Sequence, residues 1–357
     1  MDFGRVGEKA LQLGRPVRRK VCLSGPSRRK VAEELLKQAG CRLVLGKSSD
    51  DFPEHRYTKK ELVDLIDDAD ALMVSTREVI SSEILDSCPN LQAVVKSSIG
   101  VENIDIKTAT ELGILVCNSP APENFTGLAE ATVGLMIALF KRLKLNEALI
   151  RRGGWKEPHN RGDLMVGKTI GFIGLGRVGR EVAKRLGPWE LKLIGYDPYV
   201  RQEDVEPLKV KLVPLEELLR TSDLITIHVV LTAETRHMIT LRELKMMKPT
   251  AYLVNTSRGG AIREDDLVQA LNEKIIAGAA LDVFEEEPLP LTSKLREVDP
   301  TRLILTPHII GNNPKSLESG QRMAAESILS IFEGKAPATV LNREAIGRWR
   351  ERFWSRN

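Results

Sequence analysis

Thr169-Ile-Gly-Phe-Ile-Gly-Leu-Gly-Arg-Val-Gly-Arg180 is the stretch from which the rest of the chain is read. Residues 169–173 form a short apolar run, as a buried strand does. Gly174-Leu-Gly176-Arg-Val-Gly179 follows, and Val178, Val182 and Leu186 then recur four apart on one helical face. Gly174 lets the chain turn tightly out of the strand. Gly176 leaves room for a pyrophosphate against the backbone, and Gly179 lets the helix pack close to the sheet. The helix start offers free N–H groups and the positive end of its dipole to the phosphates, with Arg177 and Val178 in its first turn. A second strand, 191–196, ends in Asp197, 18 residues beyond Gly179. That spacing suits a carboxylate gripping an adenosine ribose, although Asp197-Pro198 is also a good turn opener. Strand, glycines, helix, strand and acid in register predict a dinucleotide-binding βαβ unit.

Working outward, further strands are predicted at 223–228, 251–255, 276–283 and 303–306, with helices between them, for example 241–247 and 264–271. Six strands with intervening helices make a doubly wound parallel sheet. The first part of the chain alternates in the same way. Strands are expected at 20–24, 43–45, 71–74 and 91–95, and helices at 29–38, 60–66 and 80–85, giving a second open α/β domain. Cys117-Asn-Ser-Pro-Ala-Pro-Glu-Asn124 breaks the pattern as a hinge or linker. A long helix at 126–141 carries a broad apolar stripe through Leu128, Thr132, Val133, Met136 and Phe140, to be buried against a domain or a partner. Residues 317–332 form an amphipathic helix, closed by Gly334, that returns to the first domain. Residues 1–18 read as an extension, and the Arg- and Trp-rich tail beyond Leu341 has no assignment. The expected division is 1–121, 122–313 and 314–357.

The 357 residues suffice for two domains with cores of their own. A net charge of +4, with no basic run interleaved with aromatics, argues against nucleic-acid binding. No apolar run approaches a membrane span, and the first 20 residues carry both charge signs without an apolar signal core. Four scattered cysteines, with no CxxC pair, fit reduced thiols in a cytoplasmic protein better than disulfides or a metal site. No metal is expected.

Chemistry concentrates at strand ends. Arg258 follows the apolar run Ala251-Tyr-Leu-Val and precedes two glycines, where a guanidinium can hold a carboxylate bidentately and polarise a carbonyl; the competing reading is a structural ion pair. Asp282 ends the small-residue strand Ala277-Gly-Ala-Ala-Leu281, and one of Glu285, Glu286 and Glu287 is placed to orient a histidine, unless all three face solvent. His308 follows a buried strand and a proline, and a carboxylate partner would favour its charged form. His228, also at a strand end, borders the cofactor, whereas His55, His159 and His237 read as surface residues. In the first domain, Ser75-Thr-Arg77 and Lys96-Ser-Ser-Ile-Gly100 open from strand ends, where ligands gather in open α/β sheets. Arg77 and Lys96 are candidates for the far end of a substrate, or ordinary surface side chains.

From about residue 20 to 341 the chain resembles the D-isomer-specific 2-hydroxyacid dehydrogenase family. The resemblance rests on Gly100-Val-Glu-Asn-Ile-Asp105, Gly167-Lys-Thr-Ile-Gly-Phe-Ile-Gly-Leu-Gly-Arg-Val-Gly179, Met247-Lys-Pro249, Asn255-Thr-Ser-Arg-Gly-Gly260, Ala280-Leu-Asp-Val-Phe-Glu-Glu-Glu-Pro288 and Thr306-Pro-His308. It implies a Rossmann-type cofactor domain binding NAD, with a smaller flavodoxin-like α/β substrate domain. It further implies Arg258 as substrate-binding arginine, His308 as general acid/base and Glu287 as its partner. Asp282 would lie near the nicotinamide carboxamide, with Thr256 among the cofactor residues. The loop Lys96, Ser97, Ser98, Ile99 and Gly100 would hold the substrate carboxylate through backbone N–H groups. The chain departs from the family at Ser98, where glycine is usual, at Ile310, where a small residue is common, and in Pro120-Ala-Pro-Glu-Asn124, one residue longer than usual. By the same resemblance, the stretch after Leu341 is expected to be too short for the regulatory domain of long phosphoglycerate dehydrogenases.

These features predict a cytoplasmic, homodimeric, NAD-dependent enzyme acting on a small 2-hydroxy or 2-oxo acid. A short unphosphorylated acid, glyoxylate or hydroxypyruvate, is favoured over the D-3-phosphoglycerate dehydrogenase reaction. A non-catalytic NAD(H)-sensing protein of corepressor type is the reading from another class.

Overall fold

The computed structural model describes residues 19–355, so the expected extension at 1–18 lies outside the described residues. Of these, 19–123 and 314–355 form one compact unit and 124–313 the other.

The first unit holds five strands: β1 (Lys20–Leu23), β2 (Arg42–Leu45), β3 (Ala71–Val74), β4 (Ala93–Lys96) and β5 (Leu115–Cys117). All pair in parallel, in the order β2-β1-β3-β4-β5, which is the flavodoxin-like order. The runs Ala-Leu-Met-Val and Ala-Val-Val-Lys are buried along their whole length, as strands covered on both faces must be. The strand β5 goes beyond the four expected from the sequence. Helix formation expected at 80–85 begins instead at Ser82, because Ile80 is drawn into a parallel bridge with Ile104. The helix Pro314–Phe332 lays Ala324, Ala325, Ile328 and Ile331 into the cluster that holds Val21, Leu23, Ala93 and Val95. The unassigned tail forms the helix Ala345–Trp354 and buries Ala345 and Trp349, four apart, in the same cluster.

The second unit has seven strands rather than six: β6 (Thr169–Ile173), β7 (Lys192–Tyr196), β8 (Val210–Leu212), β9 (Leu224–Ile227), β10 (Tyr252–Asn255), β11 (Gly278–Leu281) and β12 (Leu303–Leu305). The additional one, β8, is an edge strand paired only through β7. The all-parallel order β12-β11-β10-β9-β6-β7-β8 reverses between β6 and β9. That switch point is where a doubly wound sheet leaves a crevice at its carboxyl edge. The helix Pro122–Phe140 buries Ala129, Val133, Met136, Leu139 and Phe140 in one cluster with Ile170, Phe172, Val254 and Ala280. Its stripe is therefore covered within the chain.

Candidate functional site

The glycine loop leaves β6 beside the switch point, and its three glycines meet three different surroundings. Gly174 has φ +93°, and a Cβ there would lie 2.7 Å from the His228 carbonyl oxygen, so only glycine makes this turn. A Cβ on Gly179 would lie 2.4 Å from the Gly174 carbonyl oxygen, which fixes the close packing of helix Arg177–Leu186 on the loop. A Cβ on Gly176 would meet nothing within 4 Å. Gly176 is also the N-cap of that helix and supplies no side-chain cap. An open approach to backbone and a helix start without a side-chain cap fit a dinucleotide pyrophosphate.

Asp197 follows β7 and accepts from the Leu175 N–H (2.8 Å) and the Tyr199 N–H (2.9 Å), which ties the glycine loop to the end of β7. Arg177 is exposed, its guanidinium carbon 5.1 Å over the Phe125 ring, while Val178 packs partly into the core. The His228 Nε2 meets the Thr226 hydroxyl at 2.9 Å, and burial pushes its pKa down to about 3, so the imidazole is neutral. Thr256 is buried, its hydroxyl 3.0 Å from that of Thr132. The Thr256 hydroxyl is thus engaged with helix Pro122–Phe140.

Arg258, Asp282, Glu287 and His308 follow the neighbouring strands β10, β11 and β12. The Asn255 side chain shapes the first turn, donating to the Arg258 carbonyl oxygen (2.9 Å) and accepting from the Ser257 N–H (3.0 Å). A Cβ on Gly259 would fall 1.9 Å from the Phe284 carbonyl carbon, so this glycine permits contact between the Arg258 turn and the acidic loop. Buried Asp282 accepts from the Thr306 hydroxyl (2.6 Å) and the Ile309 N–H (3.1 Å), bracing the chain on both sides of His308. Its carboxyl is raised, burial outweighing those hydrogen bonds. His308 has φ +51°, a left-handed backbone that few non-glycine residues adopt and that clusters at functional sites.

The His308 Nδ1 lies 2.7 Å from Glu287 Oε2, and the other Glu287 oxygen accepts from the Phe284 N–H at 3.0 Å. The hydrogen bond to Glu287 raises the pKa of His308, more than burial lowers it. Burial alone would raise Glu287, but the bonds from His308 and Phe284 bring its carboxyl below the usual value. The Arg258 charge lowers both groups. The arrangement is an imidazole that can donate a proton, held by a carboxylate with a guanidinium near it.

In the first unit, the Ser97–Gly100 loop is half-buried and held through its carbonyls. Ser98 O accepts from the Ser119 N–H and Ile99 O from the Asn118 side chain, both at 2.9 Å. The two basic side chains have local partners. The Arg77 guanidinium donates to the carbonyls of Gly25 (3.1 Å), Lys47 (2.8 Å), Phe52 and His55 (3.5 Å) and is only 8% exposed. The Lys96 Nζ is buried and donates to Asn103, whose amide donates to the Ser75 (3.2 Å) and Glu78 carbonyls. Neither is an ordinary surface side chain, and Arg77 clamps the loop after β1 to the loop after β2 through four carbonyls.

His237 differs from its expected surface role. Its Nε2 lies 2.7 Å from Glu285 Oε1 and its backbone has φ +53°. No sequence signal joins two residues so far apart. Among the described residues no cluster of His, Cys, Asp or Glu could hold a metal, and no helix is long and apolar enough to cross a membrane.

A family model described as the NAD binding domain of D-isomer specific 2-hydroxyacid dehydrogenase matches residues 133–309. The glyoxylate reductase of Thermofilum pendens is 39% identical over 312 residues, which is 86% of this chain and 90% of that one. The D-3-phosphoglycerate dehydrogenase of Methanocaldococcus jannaschii is 39% identical over 290 residues, 81% of this chain. The match spans about half of that longer relative, 55%. Among solved structures, the TT0316 protein of Thermus thermophilus aligns with a TM-score of 0.80 at 28% identity, covering 90% of this chain and 99% of that one.

Proposed function

The chain belongs to the D-isomer-specific 2-hydroxyacid dehydrogenases, NAD-dependent oxidoreductases of CH–OH groups, and we propose that it reduces a short, unphosphorylated 2-oxo acid such as glyoxylate or hydroxypyruvate. The observation that carries this reading is the His308–Glu287 pair, 2.7 Å apart, with the Arg258 charge acting on both.

When bound, the dinucleotide supplies a hydride to C2 of the acid. Glu287 holds Nδ1 of His308, so Nε2 is the atom that delivers the proton to the carbonyl oxygen. The raised pKa keeps that proton available. Arg258 binds the acid and stabilises the alkoxide that develops as the carbonyl is reduced. Asp282 braces the turn that carries His308. In the first unit, the proposed carboxylate donors are the backbone N–H groups of residues 97–100. Oxidation of the 2-hydroxy acid runs the same steps in reverse, with His308 accepting the proton.

The engagement of Arg77 and Lys96 with carbonyl and amide oxygens supports the unphosphorylated choice, since a phosphate needs several charge-assisted donors. The test is NADH consumption with glyoxylate, hydroxypyruvate and 3-phosphohydroxypyruvate. Strong preference for the phosphorylated acid would make this a D-3-phosphoglycerate dehydrogenase. NADH bound but not consumed would make it a sensor. Four free, buried cysteines fit a reducing compartment, and we assign the cytoplasm. We also assign a homodimer. Its support is the exposed Leu143, Ile150, Trp155, Leu164 and Val166 of the second unit, together with the family expectation. A monomer mass in light scattering would refute it.

A further inference from the structure

The segment between β9 and helix Leu241–Met246 is attached to both reactive loops of the second unit. On one side the His237 N–H donates to the Gly260 carbonyl at 2.7 Å and the Ile239 N–H to the Ala261 carbonyl at 3.1 Å, directly after Arg258. On the other side His237 Nε2 meets Glu285 Oε1 at 2.7 Å, two residues before Glu287. The Glu285 backbone is itself held, its N–H donating to Glu264 Oε1 at 2.6 Å. One residue thus spans from the turn of Arg258 to the loop of Glu287. It does so from a left-handed backbone, φ +53°, which a non-glycine residue keeps only where its surroundings over-determine it. The two hydrogen bonds of His237 contribute to that determination, alongside the bridge of Ile239 to Ile262.

We propose that His237 is a positioning residue for the reaction, fixing the spacing between Arg258 and the Glu287–His308 pair through Gly260 and Glu285. The inference rests on the roles given above to those three residues. The imidazole and Glu285 are each about one-third exposed (34%), so their pairing adds little to global stability. Its consequence is geometric. Without the side-chain link, the Gly259–Phe284 contact and the Glu264 bond are left alone to set the spacing, and Glu287 loosens its hold on His308. A misplacement of about 1 Å in a reacting group costs on the order of 10²-fold in rate.

The test compares His237→Ala, His237→Gln, His237→Asn and Glu285→Ala with the native protein. It measures kcat, KM for the 2-oxo acid, NADH affinity, Tm, and the titration of His308 by imidazole NMR, which five histidines leave assignable. His237→Ala and Glu285→Ala are expected to lower kcat by about 10-fold or more and to move the His308 titration to lower pH. NADH affinity should stay unchanged, and Tm should fall only slightly, more in His237→Ala, where alanine must keep φ +53°, than in Glu285→Ala. His237→Gln, whose amide can reach Glu285, should restore most of the rate. His237→Asn, tolerant of the backbone but too short to reach, should not. A folded His237→Ala protein with native kcat and an unshifted His308 titration overturns the proposal, as does equal loss in the Gln and Asn variants. If the native protein consumes no NADH with any 2-oxo acid, it is the functional reading that fails, and the His308 titration still decides the positioning claim.

Discussion

Gly176→Ala separates the needs of the fold from those of the cofactor. A Cβ at Gly176 meets nothing within 4 Å, and a φ of −72° suits any L residue. Reduced freedom in the unfolded chain favours alanine by about 0.4–1 kcal/mol. Alanine is a poorer N-cap by a similar amount, roughly 0.5–1 kcal/mol. Tm should therefore hardly move. At Gly179 the added carbon lies 2.4 Å from the Gly174 oxygen, against 3.4 Å for ordinary contact. Gly179→Ala should cost about 1–3 kcal/mol by overpacking. Cofactor binding should report the opposite site. A methyl group over Gly176 occupies the space through which a pyrophosphate approaches the helix N–H groups. Halving two charge-assisted hydrogen bonds of about 1.5–3 kcal/mol each removes about 1.5–3 kcal/mol, or about 10- to 100-fold in Kd. NADH titration monitored by tryptophan fluorescence, with thermal unfolding alongside, makes both measurements. Native NADH affinity in Gly176→Ala would show that the pyrophosphate does not lie there, and a large fall in its Tm would show that the space is not open.

Glu287→Gln should shift the pH at which reduction fails. His308 must be protonated to reduce, and Glu287 raises its pKa, so in the variant the rate should decline at lower pH than in the native protein; an unchanged profile counts against the pairing. The same pair links stability to pH. The raised His308 contributes fully below its ordinary 6.5, and that contribution is lost as pH rises through its folded pKa. The lowered Glu287 contributes above its ordinary 4.5, and that is lost as pH falls through its folded pKa. NADH should be preferred to NADPH, because Asp197 beside the glycine loop repels a 2′-phosphate; a higher kcat/KM with NADPH would contradict that role. Arg77→Ala should destabilise the first unit by about 2–4 kcal/mol, leaving carbonyls without a donor and Glu78 buried without its cation. The ratio of kcat/KM for hydroxypyruvate to that for 3-phosphohydroxypyruvate should stay the same, and a native Tm with a changed ratio would return Arg77 to the substrate.

What the sequence made legible was what short-range pattern encodes. Buried parallel strands such as Ala71–Val74 and Thr169–Ile173 are apolar runs, and the glycine spacing at 174, 176 and 179 reports backbone geometry directly. Elements set by distant neighbours are harder to read. Val210–Leu212 is a three-residue edge strand with an exposed lysine at its centre. Leu115–Cys117 is as short and runs into a proline-containing linker. The helix Ala345–Trp354 does carry a signal, Ala345, Trp349 and Phe353 four apart, obscured by the arginines between them. The clamp made by Arg77 is invisible in sequence because its four carbonyl acceptors lie on two loops far from it along the chain, at residue 25 and at residues 47–55. The role of His237 is hidden for the same reason, since Glu285 lies on a loop far along the chain. Arg258 and His308 stand out because each follows an apolar run that ends at a turn, whereas Glu287 is picked from Glu285, Glu286 and Glu287 only by the family motif, which also supplies the roles that spacing leaves open.

Proton transfer by His308 is the step on which the proposed reaction depends most directly. The decisive measurement is kcat for 2-oxo acid reduction by His308→Ala at saturating NADH, with NADH binding measured on the same sample. Loss of a positioned general acid removes about 10² to 10⁴ in rate, and the glycine loop is untouched, so turnover should fall by that factor while NADH affinity stays native. A His308→Ala protein that binds NADH and turns over at the native rate would contradict the account.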